Sequence, residues 1–146
     1  MFNIDDCMAF IITDGSKTFS EVFQKSLKEY NLTRSQWLAL YFLLKYPNLN
    51  QIKLANLMSL KGPTVVKLLQ VLESERYVKR VSSEDDKREK DIILLAKGQE
   101  KVEDLMPVVE KFKNDIVEGI DEEELETTKK VLEKMVKNAK KMAIIW

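Results

Sequence analysis

The sequence predicts a mainly α chain of about six helices with a single two-stranded β-ribbon. Three observations lead there. Only four Gly and three Pro occur in 146 residues, too few for a turn-rich all-β fold. Apolar residues recur at helical spacing over most of the chain. The exception is residues 78–95, where eight consecutive charges, Glu84 to Asp91, separate two short β-branched stretches. At 45% hydrophobic and 33% charged residues, the chain reads as a single globular domain, 1–146, with a core of its own.

The elements follow in order. Ile4, Met8, Ile11, Ile12, Phe19, Val22, Phe23, Leu27 and Tyr30 trace one long amphipathic helix over 4–30. Gly15 falls on its apolar stripe, which implies either a break at Asp14-Gly15 or a close approach by another helix or a ligand. The second helix starts at Thr33, with Gln36 completing a capping box, and stops before Pro47. The third starts at Asn50, with Leu49 and Leu54 spaced as a hydrophobic staple. The fourth carries Pro63 at its first position and buries Val65, Leu68, Leu69 and Leu72. Two strands, Val78–Val81 and Ile92–Leu95, then flank the charged block as a hairpin. A fifth helix spans 97–118. Asp121 and Glu124 cap a sixth, whose apolar side carries Leu125, Val131, Leu132, Met135 and Val136. The apolar tail, residues 142–146, is expected to be buried rather than left in solvent.

Composition excludes several kinds of chemistry. Histidine is absent and the one cysteine is Cys7. A Cys/His zinc site, a disulfide framework and a histidine-dependent nucleophile are therefore ruled out within one chain, and no cofactor or metal is expected. No Gly-rich loop follows a strand, so a nucleotide-dependent enzyme such as a methyltransferase is disfavoured. Apolar runs are too short to span a bilayer. Acids at positions 5 and 6 do not suit a signal peptide, so a cytoplasmic location is expected. The net charge is zero. Residues 61–97 nevertheless carry nine Lys/Arg against seven Asp/Glu, and residues 98–146 nine against twelve, a mild bias toward an anionic partner for the middle segment.

Two short helices joined by a tight turn, followed by a ribbon, make a winged helix-turn-helix, whose second helix enters the DNA major groove. The charged block is then the wing tip, with its cations directed to phosphates or the minor groove. The segments LTRSQWLAL, LNQIKLANLM, PTVVKLLQVLE and EDDKREKDIILLAKG resemble the MarR family of winged-helix transcription regulators. GIDEEEL at 119–125 is similar to the start of that family's last helix.

The resemblance implies a DNA-binding lobe over 32–98 and a helical dimerisation lobe from 1–31 and 99–146. It implies a homodimer that binds double-stranded DNA at a near-palindromic operator as a repressor and is released by a small-molecule effector. Candidate DNA-binding residues are Ser59, Lys61, Pro63, Thr64, Lys67 and Gln70 on the turn and reading helix, and Lys79, Arg80, Asp86, Lys87 and Arg88 on the wing. Arg88 would enter the minor groove with Asp86 fixing its rotamer; otherwise the two form an ordinary exposed ion pair. Trp37 and Tyr41 are the candidates for an effector pocket, although aromatics at helical spacing usually belong to the core.

The sequence departs from the family at several points. Arg76 stands where Gly is usual, so a left-handed helix cap is expected to be missing or rebuilt. Leu95 replaces a capping Thr. Gly62 and Val71 occupy positions where arginines are frequent. Some relatives sense hydroperoxides with a first-helix cysteine, but the positions of its partner tyrosines here hold Phe23 and Arg34. The alternative to DNA recognition is a dimeric winged-helix interaction module without specific DNA binding.

Overall fold

The computed structural model describes residues 1–83 and 89–145, the Ile145 side chain excepted. Its elements are α1 (Met8–Leu27), α2 (Arg34–Lys45), α3 (Gln51–Met58), α4 (Gly62–Ser74), β1 (Val78–Ser82), β2 (Lys90–Leu94), α5 (Ala96–Ile116) and α6 (Glu122–Ile145). Contacts divide the chain into two compact units, Met1–Phe112 and Lys113–Trp146.

Local chemistry accounts for the helix boundaries. The Thr33 hydroxyl accepts from the Gln36 N–H at 3.1 Å, and the Gln36 side chain accepts from the Thr33 N–H at 3.0 Å, which completes the capping box of α2. The Asn50 side chain accepts from the Lys53 N–H at 2.8 Å and caps α3. α4 begins one residue earlier than expected: Lys61 is the cap, and Pro63 follows Gly62 within the first turn. At α6, Glu124 accepts from the Asp121 N–H at 3.2 Å.

α1 runs unbroken through Gly15, and a Cβ built there meets no atom within 4 Å. α1 is therefore not broken at Asp14-Gly15, and among the described residues nothing approaches Gly15 closely. Short 3-10 turns, Ile4–Asp6 and Lys28–Tyr30, occupy the ends of the expected 4–30 helix.

The core of the first unit gathers Leu27 from α1, Leu40 from α2, Leu54 from α3, Leu69 and Leu72 from α4, and Val102 and Leu105 from α5, all fully buried. Leu68, expected in the buried face of α4, is only half-buried. β1 and β2 pair antiparallel with Val78 opposite Leu94 and Ser82 opposite Lys90. Lys90 and Asp91, the last two charges of the block, thus belong to β2, and Leu95 lies beyond it. In the second unit, α6 leaves Val131, Leu132 and Val136 exposed, and Met142 and Ile144 of the tail are exposed as well, so the burial expected for the tail is not met within the single chain.

Arg76 takes up the left-handed cap that was expected to be missing or rebuilt there. Its φ is 59°, and the Tyr77 N–H returns to the Leu72 carbonyl at 2.9 Å. A side chain with a Cβ is strained in this region. Replacing this exposed residue, Arg76→Gly, is expected to raise stability by about 0.5–1 kcal/mol. Urea unfolding checks it, and a loss of stability would show that the arginine side chain compensates for the strain.

Candidate functional site

Ser59, Lys61, Pro63, Thr64, Lys67 and Gln70 are brought together as one exposed surface. Ser59 is the left-handed C-cap of α3, with φ 53°, and its N–H reaches the Ala55 and Asn56 carbonyls. Lys61 caps α4. Pro63, Thr64, Lys67 and Gln70 then line the solvent side of that helix, opposite the buried Val65, Leu69 and Leu72. The separation follows from helical spacing, because positions three and four apart share a face. The surface is polar but sparsely cationic, with only Lys61 and Lys67 on it, and the exposed Val71 lies on the same helix.

The wing follows directly. Lys79 on β1 is exposed. Asp86, Lys87 and Arg88 lie outside the described residues, so their expected roles at the tip rest on the sequence. Arg80 differs from the other candidates. Its guanidinium is turned inward: Nη2 donates to Glu73 Oε2 at 2.8 Å and Nη1 to Gln51 Oε1 at 3.2 Å, while its backbone N–H donates to Glu73 Oε1 at 2.9 Å. Its side chain is only 13% exposed. The alternation of β1 explains this, since Lys79 and Arg80 must face opposite ways.

A second junction, not legible in the sequence, ties the other strand. Asn50 is 7% exposed. Besides capping α3, it donates through Nδ2 to Glu89 Oε2 at 3.0 Å. Asn50 and Asp91 form an antiparallel bridge, and the Ile92 N–H donates to the Leu49 carbonyl at 3.0 Å. An asparagine before a helix signals a cap, but nothing in the sequence signals a partner 39 residues away.

The Glu73 carboxyl is held below the ordinary glutamate range, chiefly by the hydrogen bond from Arg80. A depressed folded-state value means that the carboxylate contributes stability above the ordinary range and loses it as pH falls through the folded-state value. The parent is accordingly expected to be more stable than Glu73→Gln at neutral pH, with the difference shrinking in acid. Thermal unfolding of both proteins across the acid range checks the sign; a pH-independent difference would contradict it.

Trp37 and Tyr41 sit in an aromatic cluster. Their rings stack at 5.1 Å, Phe23 of α1 meets Trp37 edge-on at 5.7 Å, and Phe112 of α5 lies 4.8 Å from Phe23. Trp37 is 6% exposed and belongs to the core. Its indole N–H is nevertheless buried without an acceptor among the described residues, an unusual state for a buried donor. An open cleft of about 450 Å³ lies elsewhere, lined by Tyr46, Leu49, Lys53, Asn56 and Leu57. Cys7 is half-buried just ahead of α1. Among the described residues, no helix is long and apolar enough to cross a membrane.

A sequence model of the MarR family matches residues 30–89. The chain is similar in structure to S. aureus MepR in its complex with DNA, at 25% identity and a TM-score of 0.83, over 92% of this chain and 98% of that one. It is also similar to a MarR protein from Peptoclostridium difficile, at 23% identity and a TM-score of 0.83, over 97% and 95% of the two chains. Bordetella bronchiseptica BpsR, whose DNA binding is regulated by 6-hydroxynicotinic acid, superposes with a TM-score of 0.85 at 17% identity, over 93% and 97%. The last two likenesses concern the fold.

Proposed function

From the premise that its winged-helix segment, residues 30–89, belongs to the MarR family, we propose that this chain is a DNA-binding transcription regulator rather than an enzyme. It acts as a homodimeric repressor on a near-palindromic operator and is released by a small molecule. One observation carries the reading: α4 exposes Thr64, Lys67 and Gln70 to solvent, and β1 of the wing is hydrogen-bonded to the same helix. Ser59, Lys61, Pro63, Thr64, Lys67 and Gln70 read or position the duplex from the turn and α4. Lys79 meets phosphate, and Arg88, oriented by Asp86 and flanked by Lys87, enters the minor groove. Arg80 serves the frame and not the DNA.

Dimerisation is supported by apolar side chains left exposed in each unit, among them Phe10, Ile11 and Phe19 on α1 and Val131, Leu132 and Val136 on α6. Burying such stripes against a second copy is the usual solution for a two-fold assembly. An effector site at Trp37 and Tyr41 is supported by the unpaired indole N–H, which a polar ligand atom would satisfy. The competing reading, an interaction module without specific DNA binding, is favoured by the sparse cations of α4.

The salt dependence of binding separates the two. Removing both α4 lysines, Lys61→Ala with Lys67→Ala, is expected to weaken binding to all duplexes and to reduce the slope of log affinity against log salt by roughly one per lysine. An unchanged slope would mean that α4 does not face the phosphates.

A further inference from the structure

Arg80 joins three elements. It belongs to β1, and its acceptors belong to α4 (Glu73) and α3 (Gln51). Glu73 accepts with both oxygens, one from the Arg80 backbone and one from its guanidinium, so the strand is held in position as well as in charge. The other strand is tied separately, through Asn50, Asp91 and Leu49, to the start of α3. A two-stranded ribbon has too little buried surface to fix its own attitude. These ties therefore set the angle at which the wing leaves the lobe.

We infer that Glu73 and Arg80 are positioning residues for duplex recognition: their pairing locks the wing to the reading helix, so that both meet the duplex at once. The inference rests on the DNA-binding reading above for its consequence, but not for its geometry. A wing that must be ordered on binding charges the complex for that ordering. A wing already fixed does not.

The sign of one substitution separates this role from plain electrostatics. Glu73→Ala removes a negative charge from the helix that faces a polyanion and frees Arg80. Charge alone predicts tighter binding. Positioning predicts weaker binding to a duplex selected by the parent protein from a random-sequence pool, by roughly tenfold. Affinity for an arbitrary duplex is expected to stay level or rise, so the ratio of the two falls. Adding Arg80→Met to Glu73→Ala should cause no further loss, because the pair acts as one. Glu73→Gln, which keeps an acceptor, should lose less than Glu73→Ala.

Wing attitude is also measurable without DNA. Spin labels at Gln70→Cys and Ser82→Cys, in a Cys7→Ser background and diluted with excess unlabelled protein so that both labels sit on one copy, should give one narrow distance distribution that broadens when Glu73→Ala is added. Equal or tighter binding of the selected duplex by Glu73→Ala, or an unbroadened distribution, overturns the inference. Failure to select any duplex overturns the DNA-binding reading instead, and the label distances then decide the joint alone.

Discussion

Gly98→Ala is expected to lower the stability of the folded chain by about 2 kcal/mol, where the same change at Gly15 raises it by up to about 1 kcal/mol. Both glycines lie inside helices, so helix propensity favours alanine at each. Their surroundings differ. A Cβ on Gly98 would press into the Tyr77 carbonyl oxygen and come within 2.8 Å of Leu94 Cδ1. That carbonyl already accepts the Leu95 N–H at 2.9 Å. Its backbone cannot retreat without disturbing the junction of wing and α5, so overpacking outweighs the propensity gain. Lys97 reinforces the same corner, donating to the Glu75 carbonyl at 2.8 Å and lying over the Tyr77 ring at 5.0 Å. The Lys-Gly pair thus closes the end of α4 and admits α5 against it. At Gly15 a Cβ meets nothing within 4 Å. Urea unfolding of the two variants checks the contrast, and equal signs would contradict it. Should Gly15→Ala stabilise the fold but weaken self-association, Gly15 lies where two copies of α1 approach.

Asn50→Ala is expected to cost about 2 kcal/mol, more than an exposed helix cap normally contributes. The side chain serves two elements while 7% exposed: it caps α3 and it holds Glu89 ahead of β2. Truncation leaves the Lys53 N–H and the Glu89 carboxylate without their partner. Asn50→Asp separates the two roles. It keeps an acceptor for the α3 cap but sets a carboxylate against Glu89, so the cap survives while the wing is pushed away. Hydrogen exchange should report this as faster exchange of the Ile92 amide, which bonds Leu49 beside the junction, with α3 still protected. Protection of Ile92 equal to that of the parent in both variants would show that Asn50 does not hold the wing.

The legible and illegible parts of this fold divide on range. Thr33, Gln36 and Asn50 could be read as caps because their partners lie three residues away. The buried stripe of α4 follows from helical period, although Leu68 is covered less than its position suggested. The tie of Arg80 to Glu73 and Gln51 spans 7 and 29 residues, and a charged strand residue beside a basic neighbour looks like a phosphate contact until its strand face is known. Asp91 was legible as part of a charge block but not as a bridge to Asn50, because hydrophilicity marks loops and strand edges alike. Arg76 shows a related limit. Its residue type argues against a left-handed cap, yet the surrounding chain imposes one, as a packed context can override a local preference of about 1 kcal/mol.

The central claim is that this chain reads a specific duplex through α4 and its wing. Selection of duplexes from a random-sequence pool by the purified full chain, sequenced after successive rounds, tests it most directly. The account predicts enrichment of one motif made of two inverted half-sites, their centres separated by about one helical turn, or 10–10.5 base pairs, or a multiple of it. A pool that remains random after selection at low salt would contradict it.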